Sequence, residues 1–102
     1  MYKRMNQSIV DKIADYFATK PVVKAYLFGS YARGENNQNS DIDILVTFDK
    51  DANVSLFDHV GMTYDLQDTL GIDVDLITEG TLLPFADKTA ENDKILIYER
   101  AS

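Results

Sequence analysis

The chain contains no cysteine and no tryptophan, only one histidine (His59) and two prolines (Pro21 and Pro84) in 102 residues. Without cysteine there are no disulfides, no thiolate metal sites and no thiol nucleophile. A lone histidine cannot build a histidine-rich metal centre. Basic residues are also scarce, ten Lys and Arg against seventeen Asp and Glu, for a formal net charge of −7. A protein that grips nucleic acid by its phosphates needs a basic surface, so direct nucleic-acid binding is not expected. No apolar run approaches the ~20 residues of a membrane span. No 7–15-residue apolar stretch follows the N-terminus, so no secretory signal is expected, and a cytoplasmic protein without membrane attachment is the default. What is present suffices for a core: 45% of residues are hydrophobic and 11% aromatic. A length near 100 predicts a single domain over residues 1–102.

Periodicity organises the chain. From Asn6 to Thr19, Ile9, Ile13 and Phe17 recur every fourth residue, which predicts an amphipathic helix, with Ser8 and Asp11 as a candidate cap. Val22 to Phe28 (VVKAYLF) reads as a strand ending at Gly29. Ser30 to Gly34 suggests a short helical turn. Asp41 to Phe48 (DIDILVTF) reads as a second strand whose apolar end predicts burial on both faces. A second helix is predicted over Ser55 to Leu70, its buried face marked by Leu56, Val60, Thr63, Leu66 and Leu70, with Gly71 at its C-cap. Ile72 to Thr78 (IDVDLIT) reads as a third strand. Leu82 to Asp93 reads as partly helical, and Ile95 to Tyr98 as a strand or a last helical turn. The fold class is α/β (α+β): a mixed three- to four-stranded sheet covered by helices. The dozen residues between the first two strands leave parallel or antiparallel pairing open.

Three features carry chemistry. Asp41 and Asp43 open an apolar strand and, two residues apart, face one side with α-carbons ~6.6 Å apart. Asp73 and Asp75 repeat the pattern. Asp75, flanked by Val74 and Leu76, is the favoured inward member, and Asp73 the solvent-facing one. One such pair alone is more often a solvated strand end than a metal site. Two pairs on adjacent strands would gather hard oxygen donors suited to Mg²⁺. Second, Gly29-Ser30 ends a strand and offers backbone N–H groups and a hydroxyl that suit phosphate oxygens, although an ordinary Gly-Ser turn looks the same. Third, Arg33 lies between that turn and the D-x-D strand, placed to hold phosphate or simply to pair with Glu35. Neither G-x-x-x-x-G-K-[ST] nor G-x-G-x-x-G occurs, so a P-loop and a dinucleotide fold are unsupported. A phosphate-binding turn, a cation and clustered carboxylates are the equipment of metal-assisted phosphoryl or nucleotidyl transfer.

Gly29-Ser30, ten intervening residues and Asp41-Ile42-Asp43 make the pattern G-S-x(10)-D-x-D. The stretch GSYARGENNQNSDIDILV, with Val74-Asp75-Leu76-Ile77 downstream, resembles the minimal nucleotidyltransferases (MNT) of the DNA polymerase β-like superfamily. The resemblance implies that Gly29 and Ser30 hold the nucleotide's phosphates, with Arg33 as a further phosphate contact. It implies that Asp41 and Asp43 bind Mg²⁺, two ions in all, and that Asp75 is the third active-site carboxylate. It also implies a partner. Small MNT proteins pair with a HEPN-domain toxin and neutralise it by moving AMP from ATP onto a tyrosine. The alternatives are nucleotidyl transfer to a small molecule, which calls for an additional helical domain, and a non-catalytic antitoxin that masks its partner. A homo-oligomer is compatible with either. Tyr2, Tyr31 and Tyr64 are candidate interface, stacking or modification residues, though a packed ring with a wet hydroxyl is the simpler reading. His59 reads as a surface or boundary residue.

Overall fold

The computed structural model describes residues 7–29, 41–78 and 94–100. The first helix, α1 (Gln7–Phe17), buries Ile13 and Phe17 completely, with Ile9 packed against the same core. Ser8 lies within its first turn rather than at a cap, and Gln7 Nε2 donates to Asp11 Oδ1 across one turn at 3.0 Å. After Pro21 the chain runs straight into β1 (Val22–Phe28). Then come β2 (Ile42–Phe48), α2 (Leu56–Leu70), β3 (Val74–Thr78) and β4 (Ile95–Glu99). The C-terminal segment is thus a strand. The expected helical turn at 30–34 and the expected helix at 82–93 lie outside the described residues.

The described strands form one four-stranded sheet in the order β3-β2-β1-β4. β1 pairs antiparallel with both β2 and β4, and β2 pairs parallel with β3. The sheet is therefore mixed, as expected, and the open question of the first pairing resolves as antiparallel. Both helices pack on one face. Ala25, Leu27, Ile42, Ile44, Val46, Val74 and Leu76 from the sheet meet Ile13, Phe17, Met62 and Leu66 from the helices in a single cluster. Removing each such side chain from water contributes roughly 1.5–3 kcal/mol. The two-sided burial expected of β2 is present, since Leu45, between Ile44 and Val46, is also buried at 2% exposure.

α2 is capped at both ends by its own sequence. Ser55 Oγ accepts from the Asp58 N–H and the Asp58 carboxylate accepts from the Ser55 N–H, each at 3.1 Å, a reciprocal capping box. Gly71 closes the other end at φ 70°, its N–H bonded to Gln67 O. The inward face matches the expected one in part: Leu66 is buried and Leu70 packs against the core, as expected. Met62 is buried as well, whereas Leu56 and Val60 are 76% and 41% exposed. At 100° per residue the stripe 56-60-63-66-70 centres about 70° around the helix from 59-62-66; the two share Leu66, and the turn toward Met62 leaves Leu56 and Val60 outside. His59 belongs to that inner face. Its Nε2 lies 2.7 Å from the Leu76 carbonyl oxygen, which can only accept, so the ring donates from Nε2. That bond satisfies a carbonyl on the outer strand β3. His59 is thus a boundary residue with a structural hydrogen bond.

Candidate active site

Alternation decides where the acidic residues go. In β2 the residues Ile42, Ile44 and Val46 face the helices, so Asp43 takes the other side of the sheet. In β3, Val74 and Leu76 face the helices and Asp75 takes that same other side. The parallel register sets Asp43 directly beside Asp75. Carboxylates from two strands therefore meet on one sheet face, as the paired D-x-D pattern led us to expect. Asp41 stands one residue ahead of β2 and is exposed. The Asp73 carbonyl accepts from the Ile42 N–H at 2.9 Å, which starts the β2–β3 ladder.

The expected contrast between Asp73 and Asp75 is corrected by the structure. Both are exposed. Apolar neighbours on either side do not bury a strand residue. They claim the helix-covered face, and the residue between them is turned to the opposite one.

Gly29 completes the site. In the β1–β2 ladder Phe28 faces Asp43, so the residue after β1 arrives at the carboxylate. Gly29 has φ 76°, a conformation in which a side chain is strained. A β-carbon built there would overlap the Asp43 carboxylate and stand 3.2 Å from its Cγ. Glycine is needed at this point twice over, for the backbone turn and for the close approach to Asp43. Ser30 and Arg33 lie outside the described residues.

The end of β1, the start of β2 and the start of β3 thus converge at one corner of the sheet. The donors there are hard carboxylate oxygens beside a glycine cradle, a chemistry that fits Mg²⁺. Among the described residues no three Asp, Glu, His or Cys side chains are drawn together closely enough to hold an ion by themselves. A metal there would also need oxygens from a substrate or water, as Mg²⁺ bound with substrate phosphates commonly does. Among the described residues, the corner holds Gly29, Asp41, Asp43, Asp73 and Asp75, all singled out in the sequence. Sequence reasoning did miss the role of His59 in tying α2 to β3, which a single histidine on a helix does not signal.

Comparison with known proteins agrees with this geometry. The model of the nucleotidyltransferase domain matches residues 10–97. A Methanocaldococcus jannaschii protein provisionally named a protein adenylyltransferase is 43% identical over 72 residues, 70% of this chain and 72% of its own length. The protein adenylyltransferase MntA of Thermococcus cleftensis is 35% identical over 71 residues, 70% of either chain. Among solved structures, one provisionally assigned as a minimal nucleotidyltransferase superposes with a TM-score of 0.73 at 30% identity, over 87% of this chain and 89% of the other. A chain of the MntA–HepT toxin–antitoxin complex shares the fold, with a TM-score of 0.72 at 21% identity, over 93% of this chain and 74% of the other. With the matched model spanning the helices, the sheet and the carboxylate corner alike, this chain belongs to the nucleotidyltransferase domain family and is a nucleotidyltransferase of the minimal type.

Proposed function

We propose that the protein transfers AMP from ATP, with magnesium, to a tyrosine hydroxyl of a HEPN-domain toxin and so acts as its antitoxin. One observation carries the reading: Asp43 stands in parallel register with Asp75 and against the Gly29 turn. Relatives named as protein adenylyltransferases support transfer to a protein. Structural neighbours solved as toxin–antitoxin complexes, one with the ATP analogue AMP-PNP and one with an AMPylated HEPN toxin, support the nucleotide and the partner.

In this reading the backbone at Gly29 and the hydroxyl of Ser30 hold the triphosphate, and Arg33 binds a further phosphate oxygen. Asp41, Asp43 and Asp75 would hold Mg²⁺, which, when bound, offsets charge on the phosphates and the leaving group. The tyrosine oxygen attacks the α-phosphorus and a new O–P bond forms. The bond from that phosphorus to the bridging oxygen breaks, and pyrophosphate leaves with the electron pair. Asp75, exposed beside Asp43, takes the phenolic proton.

The test is incubation of the protein with ATP labelled at its α-phosphate, Mg²⁺ and a HEPN-domain toxin as the proposed acceptor. Label should appear on the partner and vanish on chelation. Asp41→Asn or Asp43→Asn should each cut transfer by roughly a hundredfold or more, since even changes around metal ligands cost 10–100-fold. Full neutralisation of the toxin by either variant would replace catalysis with masking. Label on a small molecule with none on protein would move the acceptor to another class.

A further inference from the structure

We propose that the outer face of α2 is the docking surface for the acceptor protein, and that it seats a segment whose large apolar side chains are flanked by lysine or arginine. The inference rests on the protein-acceptor reading above.

Three observations support it. First, α2 leaves Phe57 87%, Val60 41% and Tyr64 61% exposed along one outward stripe. Scattered apolar residues on a surface are ordinary, but an aromatic pair two turns apart on one helix face resembles the anchors of a helix-in-groove interface. Second, the stripe borders a real recess. A groove of about 380 Å³ runs between this helix and the start of β1, lined on the helix side by Phe57, Asp58, Gly61, Met62 and Asp65. No heavy atom of the described residues lies within 4 Å of where a β-carbon would stand on Gly61, so the helix backbone is open to close approach there. Third, charge selects the occupant. α2 carries Asp58, Asp65 and Asp68 and not one Lys or Arg. Asp58 and Asp65 line the groove and are bonded to neutral donors, the Ser55 N–H and the Tyr16 hydroxyl. Lys20, at the far wall, has its Nζ over the Tyr16 ring at 5.3 Å. A second copy of the chain would bring the same three aspartates against these, so a basic-flanked partner is favoured over self-association.

The position matters. The groove lies on the helix-covered face and at the Pro21 end of β1, whereas Gly29 lies at the other end, about 20 Å along the strand. A partner seated there leaves the carboxylate corner open. Docking and chemistry are then separable, and docking should govern acceptor affinity alone.

The experiment uses the full chain, the HEPN-domain toxin of the test above, and the variants Phe57→Ala/Tyr64→Ala and Asp68→Lys. The double variant should weaken association by about tenfold or more, as loss of aromatic anchors does. It should raise KM for the acceptor and leave kcat and ATP affinity unchanged, and Phe57→Leu/Tyr64→Phe should recover most of the loss. Asp68→Lys should weaken binding at low salt and less so at high salt. Binding and KM equal to wild type would overturn the docking surface and leave the adenylyl-transfer reading intact. So would a change confined to self-association of the chain, or an equal loss of kcat and ATP affinity. Wild-type protein that binds the partner through these residues but never labels it would refute transfer and keep the docking surface. Wild-type protein that does not bind the partner overturns both.

Discussion

Gly29 makes the sharpest demand of any described residue. Its positive φ and its approach to Asp43 act together, so Gly29→Ala meets both backbone strain and a carboxylate with no room to spare. The strain alone costs about 1–2 kcal/mol. We expect a stability loss of at least that size in chemical denaturation, together with a fall in nucleotidyl transfer larger than the stability loss explains. Gly71 has nearly the same φ of 70° but nothing among the described residues within 4 Å of a β-carbon, so Gly71→Ala should destabilise without touching activity. Two glycines alike in backbone are thus told apart by what stands beside them. Tyr16 poses a different demand. Partial burial, then its 2.6 Å hydrogen bond to Asp65, hold its hydroxyl proton well above the ordinary tyrosine range. The folded state therefore keeps a proton that the unfolded state sheds above about pH 10. The stability this contributes is complete below that pH and declines as pH rises further. Tyr16→Phe should flatten the alkaline fall in melting temperature while costing no more than about 1 kcal/mol at neutral pH.

At the scale of elements, α2 shows how far sequence patterns reach. Its ends were legible because caps are local: Ser55 and Asp58 satisfy each other's N–H groups, and Gly71 supplies the left-handed turn. Ser55→Ala removes one side of that box and should cost about 1 kcal/mol. In a domain of this size that is a drop of about 4–8 °C in melting temperature, read by calorimetry. Its phase was legible in part. Leu66 and Leu70 were placed inward correctly, but Leu56 and Val60 fit the same stripe as well as Met62 fits its own, and only the neighbours choose. The sheet chose Met62 and Leu66, aided by the His59 bond to Leu76. Strand composition was a surer guide for β2, a strand with neighbours on both sides in which three consecutive residues, Ile44, Leu45 and Val46, are buried.

At the scale of the molecule, one core cluster ties the two helices to one sheet face and leaves the other face to Asp43 and Asp75. Ile44→Ala, in the middle of that core, should cost 2–5 kcal/mol by denaturant titration, the usual range for buried Ile truncation. The sheet's far end is closed by charge. Asp49 accepts from the Asp51 N–H at 2.9 Å and from Arg100 Nη2 at 2.9 Å, joining the ends of β2 and β4. The backbone bond first, and Arg100 next, hold the Asp49 carboxyl below its usual range. That contribution is present above the ordinary carboxylate pKa and fades as acid protonates the group, so Asp49→Asn should flatten the acid limb of stability. No helix among the described residues is long and apolar enough to cross a membrane. The sequence by itself determined α1, β1, β2, α2 and β3, the Gly71 cap and the residue types of the carboxylate corner, because periodicity and turn chemistry act over a few neighbours. It also carried the spacing from Gly29 to Asp43. Only the tertiary structure decided that β1 meets β2 antiparallel, that Asp43 lies in register with Asp75, that both Asp73 and Asp75 face away from the core, and that α2 turns Met62 inward and Leu56 and Val60 outward. Pairing and facing are set by contacts between segments distant in sequence, and several arrangements satisfy the same local pattern until those contacts form.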